Sequence, residues 1–344
     1  VTPLQALRRI AFLLERDRAP THRVNAFRTA AAVVLQEGDR IAERVAAGTL
    51  TELAGIGPVT AGVITQACQD EVPEYLLNLE AGDSTLPVLS PAASELLAVL
   101  RGDLHTHSQW SDGGSPVEEM LVTAAELGRE YVAVTDHSPR LRVANGLTAE
   151  RLRSQLALLE ELRPSVGALS LSALSGIEVD ILDDGNLDQT PELLAELDIV
   201  VASVHSKLAM DAPAMTRRML AAVANPHIDV LGHCTGRMVA AGPGSKLRAP
   251  STFDAAAVFS ACAERGVAVE INCRPERLDP PPELLLAAQQ SGCLFSIDTD
   301  AHAPGQLDWL SHGCERAVSA GIEPERIITA WPVEQLLQWT RRDR

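Results

Sequence analysis

Apolar positions recur at helical spacing at the start of the chain (Leu4, Leu7, Ile10, Ala11, Leu14, then Phe27, Ala31, Val34, Leu35), so residues 1–47 are predicted helical and amphipathic. Leu53-Ala54-Gly55-Ile56-Gly57-Pro58 follows. A tight Gly-Ile-Gly turn before a proline suited to a first helical turn predicts a helix-turn-helix unit. Residues 81–92 read as a linker, with a short helix to about Leu100. From Arg101 the rhythm changes. Short β-type runs at Gly102–His105, Tyr131–Thr135, Leu174–Val179, Ile199–Val204, Asp229–Gly232, Val267–Ile271 and Leu294–Asp298 alternate with helical stretches near 116–128, 148–163, 190–197, 213–224, 252–265, 282–291 and 312–320. Such alternation predicts an α/β domain built on a parallel sheet or a (β/α) barrel.

The predicted strand ends carry the chemistry. The first run closes on His105-Thr106-His107 with Asp112 beyond, the second on Asp136-His137, the third on Glu178 and the fourth on His205. The fifth closes on His233 and the seventh on Asp300 and His302. In a parallel barrel all these ends open on one face, where active sites sit. Six of the nine histidines and three carboxylates are thus expected at one mouth. The period-two His105/His107 pair can present both rings to one ion. Imidazole mixed with carboxylate suits zinc, manganese or iron, and nine donors are too many for one ion, so two or three metals are expected. His22, His227 and His312 have no ligand partner nearby in sequence and are expected at the surface.

Composition narrows the class. The 344-residue chain is 46% hydrophobic and 22% charged, with a net charge of −17, which fits a globular protein and excludes a disordered one. Residues 1–47 carry a net +3 and the rest −20, so bulk charge does not grip nucleic acid unless bound cations offset it. Six cysteines without a CxxC pair are expected to be reduced, placing the chain in the cytoplasm. No apolar run approaches the roughly 20 residues of a membrane span. The opening VTPLQALRRI, beginning on Val1 rather than Met, lacks a signal-peptide layout.

HTHSQWSDG, TDHS, GIEVDI, SVHS, GHCTGR and DTDAH resemble, in order, the motifs of the PHP (polymerase and histidinol phosphatase) superfamily. RGDLHTHS, VANGL, DGNLD and INCRPERLD make residues 101–344 most similar to the PHP domain at the C-terminus of bacterial X-family DNA polymerases. The resemblance implies a distorted seven-stranded TIM-like barrel with a trinuclear divalent-metal site (Zn, Mn or Fe). One metal would take His105, His107, Glu178 and Asp300. A second would share Glu178 and add His205 and His233. A third would take Asp112, His137 and His302. The implied activity is metal-dependent phosphoester hydrolysis, in which ions activate water and neutralise phosphoryl oxygens. Glu178, His205, Asp300 and Asn272 are the expected catalytic set, and Lys207, Arg237, Arg274, Arg277 and Trp110 the expected substrate contacts. Cys234 and Cys273 stand where the family pattern differs.

Residues 1–80 resemble the helix-hairpin-helix domain of the same polymerases through RIAFLLE, NAFRTAAAVV and LAGIGPVTAGVI. Such a hairpin offers turn amides at Gly55, Ile56 and Gly57 to a DNA backbone phosphate. Arg8, Arg9, Arg23 and Arg28 are further candidate contacts, whereas Pro58 stands where a basic residue is common, so weak affinity is expected. Residues 1–100 contain no lysine, which excludes a Schiff-base lyase there. The short gap between hairpin and barrel leaves no room for a polymerase palm. The expected activity is a 3′→5′ exonuclease or 3′-end phosphatase in DNA repair. The competing expectation is a small-molecule phosphomonoesterase of the histidinol-phosphatase type.

Overall fold

A computed structural model of the chain describes residues 1–82, 84–240 and 246–342. It divides into two units, Val1–Leu86 and Pro87–Arg344.

The first unit is helical: α1 (Pro3–Arg16), α2 (Thr21–Glu37), α3 (Arg40–Ala47), α4 (Pro58–Cys68) and α5 (Glu74–Ala81). Thr2 and Gln5 form a capping box that starts α1, and Gly48 ends α3 in the left-handed region. The apolar face predicted from spacing is the one buried, with Leu7, Ile10, Leu14, Phe27, Val34, Val63 and Ile64 in one core. Gly55 makes the hairpin turn at φ +93°, and a Cβ there would lie 2.6 Å from Thr29 Cγ2. Only glycine meets both demands.

The second unit begins with α6 (Pro91–Val99), capped by Ser90 and packed on α13 (Leu310–Ser319). The short helix expected after the linker packs within this unit. Seven parallel strands follow in the order β1 (Gly102–Thr106), β2 (Tyr131–Val134), β3 (Ser172–Asp180), β4 (Ile199–Ser203), β5 (Val230–Leu231), β6 (Ala268–Asn272) and β7 (Phe295–Asp298). Between them lie α7 (Val117–Glu126), α8 (Ala149–Gly167), α9 (Pro191–Leu194), α10 (Ala212–Val223), α11 (Ala255–Arg265) and α12 (Pro282–Gln290). The unit is the predicted (β/α)7 barrel. The second predicted run ends at Val134 rather than Thr135, and the fifth shrinks to two residues. α8 runs past Pro164 to Gly167, because a proline in the last turn removes only one helical hydrogen bond.

The seam between β7 and β1 is joined by isolated contacts and not by a strand ladder. At the site end a Thr106–Ala301 bridge closes it, with His107 N–H donating to Ala301 O at 2.7 Å. Below this, Leu104 N–H donates to the Asp298 carboxylate at 2.8 Å. At the other end Thr329 fills the gap, accepting from Arg101 N–H at 2.8 Å and Ile297 N–H at 3.1 Å. Leu104, Ala133, Leu174, Ile199, Val201, Val230 and Ala268 form an apolar layer that packs with Ile328 and with Leu336 of α14 (Val333–Thr340). The strand C-terminal ends are left to polar residues, the division expected of a barrel enzyme. No helix among the described residues is long and apolar enough to cross a membrane.

Gly55→Ala is expected to destabilise the helical unit by about 1–2 kcal/mol through strain at positive φ and the clash with Thr29. Urea denaturation followed by hydrogen exchange at α2 and α4 measures this, and an unchanged midpoint would contradict it.

Candidate metal centre

Glu178, at the end of β3, is fully buried and lies at the middle of a group of imidazoles. Its Oε1 is 2.8 Å from His233 Nε2 and 3.2 Å from His205 Nε2. Its Oε2 is 2.7 Å from His137 Nδ1, 3.4 Å from His105 Nε2 and 3.7 Å from His107 Nε2. Asp300 Oδ1 stands 3.3 Å from His107 Nε2 and 4.0 Å from His105 Nε2. Asp112 Oδ1 lies 3.4 Å from His302 Nε2 and 3.5 Å from His137 Nε2. All nine candidate ligands therefore occupy one cluster.

Their grouping differs in part from the sets the resemblance implies. His105, His107 and Asp300 share one candidate ion position, and Asp112, His137 and His302 share another with His107 added. His205 groups with Glu178 and His137, while His233 groups with Glu178 and His105. His205 and His233 thus flank Glu178 rather than share one group.

The residue chemistry fits divalent cations. Both nitrogens of His107 and His205, Nε2 of His105 and both Glu178 oxygens are buried without a hydrogen bond of acceptable geometry, an arrangement that is costly unless something is ligated there. The electrostatics agree. Burial alone would raise Glu178, but His205, His105, His137 and His233 hold its carboxyl well below the usual range. Burial, reinforced by His302 and His137, pushes His107 well below its ordinary value and leaves it a neutral donor. Burial likewise opposes charge on His205, yet Glu178 and Asp180 raise it to about 9. Asp300 adopts φ +53°, a left-handed backbone that costs roughly 1–3 kcal/mol in a non-glycine residue and marks functional sites.

Buried carboxylates hold the ligands in place. Glu270, which the strand-end reading passed over, accepts from His105 Nδ1 at 2.5 Å, from His233 N–H at 2.5 Å and from Asn272 Nδ2 at 3.2 Å. The signal was available: Glu270 and Asn272 are two apart on one strand and share a face. Asp180 receives His205 N–H at 3.2 Å, and Asp103 receives His105 N–H at the same distance. Asp136 receives Ser108 N–H and Ser111 N–H at 2.8 and 3.2 Å.

Several expected contacts are elsewhere. Asn272 is fully buried and spends its amide N–H groups on Glu270 and Asp300, so it orients ligands rather than facing substrate. Lys207 is exposed and paired with Asp183. Arg237 donates to the carbonyls of Arg277 and Leu278, because its side chain folds back over that turn. Trp110 is half-buried against the α7/α8 core cluster, and Arg151 holds its carbonyl. Arg274 and Arg277 do reach the centre, with Arg274 Nη1 2.8 Å from His302 Nδ1 and Arg277 Nε 3.2 Å from Asp300 Oδ2. His22 is exposed, but His227 and His312 are half-buried. In the hairpin, Ile56 N–H closes the turn on Leu53 O at 3.0 Å and Gly57 N–H caps α4 on Thr60 Oγ1 at 3.0 Å. Two of the three amides expected to hold phosphate are therefore already used. Arg9 pairs with Glu80, Arg28 with Glu15, and Arg23 donates to the Tyr75 hydroxyl, whereas Arg8 is exposed.

A family model described as PHP domain matches residues 103–274, and one described as Helix-hairpin-helix domain matches residues 2–72. The DNA polymerase/3'-5' exonuclease PolX of Bacillus subtilis (strain 168) is 35% identical over 247 residues, covering 72% of this chain and 42% of that protein. The chain thus spans less than half of that relative. A probable phosphatase of Thermoanaerobacter sp. (strain X514) is 27% identical over 237 residues, covering 66% of this chain and 89% of that protein. The crystal structure of histidinol phosphate phosphatase (HISK) from Lactococcus lactis, complexed with Zn, L-histidinol and phosphate, aligns with a TM-score of 0.47 at 18% identity, covering 65% of this chain and 95% of that one.

Glu270→Gln must turn an amide NH2 toward one of the donors Glu270 now accepts from. Metal affinity is expected to fall about 10–100-fold, read by competition with a chromophoric chelator; unchanged affinity would remove Glu270 from the support of the ligands. In the metal-free protein His205 is raised above its ordinary 6.5 to about 9. Its stabilising contribution is complete below pH 6.5 and lost as pH climbs through about 9. Since metal takes the neutral ring, apparent metal affinity is expected to rise across that window. Metal titrations at several pH values test this, and a flat profile would contradict it.

Proposed function

The chain belongs to the PHP domain family of phosphate-ester hydrolases, and we propose that it acts on DNA 3′ ends, as a 3′→5′ exonuclease or 3′-end phosphatase in repair. One observation carries the hydrolase reading: nine candidate ligands from six strand ends, Glu178 at their middle, meet in one cluster. The DNA reading is supported by the helix-hairpin-helix match on the same chain and by the similarity to an exonuclease-bearing polymerase.

Three divalent ions (Zn, Mn or Fe) would be held by His105, His107 and Asp300, by Asp112, His137 and His302 with His107, and at Glu178, which His205 and His233 flank. Bound there, they would supply Lewis acidity toward phosphoryl oxygens and lower the pKa of a coordinated water. The chain's own residues set the frame for that chemistry. Glu178 touches donors of more than one group and so ties them together. Arg274 and Arg277, each about a fifth exposed beside Asp300, offer guanidinium donors to phosphate oxygens that the ligands leave free. Asn272 and Glu270 hold Asp300 and His105 against reorientation. All six cysteines are free and five are buried, which suits the reducing cytoplasm.

A small-molecule phosphomonoesterase is the second reading. The observation favouring it is the hairpin, whose turn amides and arginines are largely engaged within the helical unit.

His107→Ala and Asp300→Ala are each expected to lower turnover by about 10³-fold or more and to reduce bound metal, read by elemental analysis. Full activity in both would contradict the assignment. With Mn²⁺ or Zn²⁺, a 3′-recessed duplex should be preferred over histidinol phosphate and an aryl phosphate, and deleting residues 1–80 should weaken that preference. A deletion that acts on small esters as well as the whole chain does, in a protein without duplex preference, would establish the second reading.

A further inference from the structure

The loop after β2 is held rigidly beside the centre. Ser138 N–H donates to Glu178 O at 3.0 Å and Leu147 N–H to His137 O at 2.6 Å, so both ends are tied to ligand residues. Arg140 N–H donates to Asp188 Oδ2 at 2.8 Å, and the Arg151 guanidinium holds Asn145 O at 2.5 Å. A Cβ on Gly146 would fall 1.8 Å from Ser138 O, so the loop crosses itself where only glycine fits.

The exposed part of this anchored loop has no evident role in folding. Val143 is 94% exposed, and Arg140 and Arg142 are exposed beside it. Neither guanidinium makes an ion pair or hydrogen bond among the described residues, and Arg140 acts through its field on Asp183, whose carboxyl is held below its usual range chiefly by Lys207. The other cations near the mouth are engaged: Arg274 and Arg277 on Asp300, Arg237 and Arg248 on backbone carbonyls, Lys207 on Asp183. With Leu182 from the loop after β3, Pro139, Leu141, Val143 and the two arginines line a groove of about 550 Å³. Asp188 also lines it, but its oxygens accept the amides of Arg140 and Asp180, so its charge is turned toward the backbone.

We propose that this groove binds a single phosphodiester strand whose terminus enters the metal centre. The two loops that form it follow the strands carrying His137 and Glu178. Uncommitted guanidiniums suit phosphates, and the apolar wall suits sugar and base faces, as in single-strand binding generally. A rigid loop binds without an ordering cost. The proposal rests on the reading of the centre as a phosphoesterase acting on nucleic-acid ends.

The test uses the full chain loaded with Mn²⁺, a labelled single-stranded decadeoxynucleotide and p-nitrophenyl phosphate. In R140E/R142E the KM for the decamer is expected to rise about tenfold, and its salt dependence to weaken by about 1.4 in log–log slope, for two lost phosphate contacts. Turnover of the decamer at saturation and kcat/KM on the aryl phosphate should hold within about twofold, as expected for residues that contact phosphate away from the chemistry. V143D should raise the decamer KM in the same way. An unchanged decamer KM and slope overturns the proposal, and so does an equal loss on the aryl phosphate. Displacement of the decamer by an equal concentration of poly-glutamate assigns the groove to acidic polypeptide and also overturns it. If the wild type hydrolyses no ester, the phosphoesterase reading fails. The groove is then judged by fluorescence anisotropy of the decamer with metal-free protein, where weaker binding in R140E/R142E supports it and no binding to the wild type overturns it.

Discussion

One buried carboxylate sets the terms for the rest of this molecule. Glu178 has no exposed surface and lies within 3.7 Å of a nitrogen on each of five histidines. Five imidazoles so close would repel one another if protonated, and an isolated carboxylate in that position would bear a large desolvation cost. Together they are tolerable only because the imidazoles divide: His107 and His233 are driven toward neutrality, while His105 and His205 are raised by the acids around them and help draw Glu178 well below its usual pKa. A divalent cation would take over that compensation, since it binds the neutral rings.

Holding that cluster together falls to a second set of acids, and one device recurs around the barrel. A buried carboxylate on one strand accepts a backbone N–H from the neighbouring strand or loop. Asp136 holds the loop carrying His107, Asp180 holds His205, Glu270 holds His233, and Asp298 holds Leu104 across the seam. Asp279 does the same for the turn after His233, accepting from Thr235 N–H and Thr235 Oγ1. Charged acceptors make stronger hydrogen bonds than neutral ones, and each fixes a loop that carries a ligand. Part of the acidity of residues 48–344 is therefore interior structure and not surface field.

This bears on what the sequence could reveal. Strand periodicity and the placing of His and Asp at strand ends located all nine members of the cluster, because the C-terminal ends of parallel barrel strands open on one face. That convergence does not fix side-chain direction farther along each loop. Lys207 and Arg237 lie two and four residues beyond a ligand, in turns where side-chain direction depends on local hydrogen bonds, and both point away from the centre. Composition likewise does not distinguish a surface acid from an interior one, so Glu270 and Asp180 passed unnoticed although their neighbours did not, and Asp136 was named beside His137 without a role. The short helix before the barrel was read without a partner because that partner, α13, lies more than two hundred residues away in sequence.

Which donors are already engaged also decides how the molecule could grip a polyanion. A helix-hairpin-helix holds phosphate with the amides of its turn and the N-terminus of its second helix. Here Ile56 and Gly57 N–H close their own turn and cap, and Pro58 has no N–H to give. Arg9 and Arg28 are paired within the same unit. The helical unit has kept the shape of a phosphate-binding hairpin while directing most of its donors to its own stability. In the barrel unit Arg274 and Arg277 are tied to Asp300, whereas Arg140 and Arg142, on the anchored loop beside His137, make no ion pair or side-chain hydrogen bond among the described residues. Strand recognition by this protein is thus better served at the rim of the metal centre than at the motif that first suggests it.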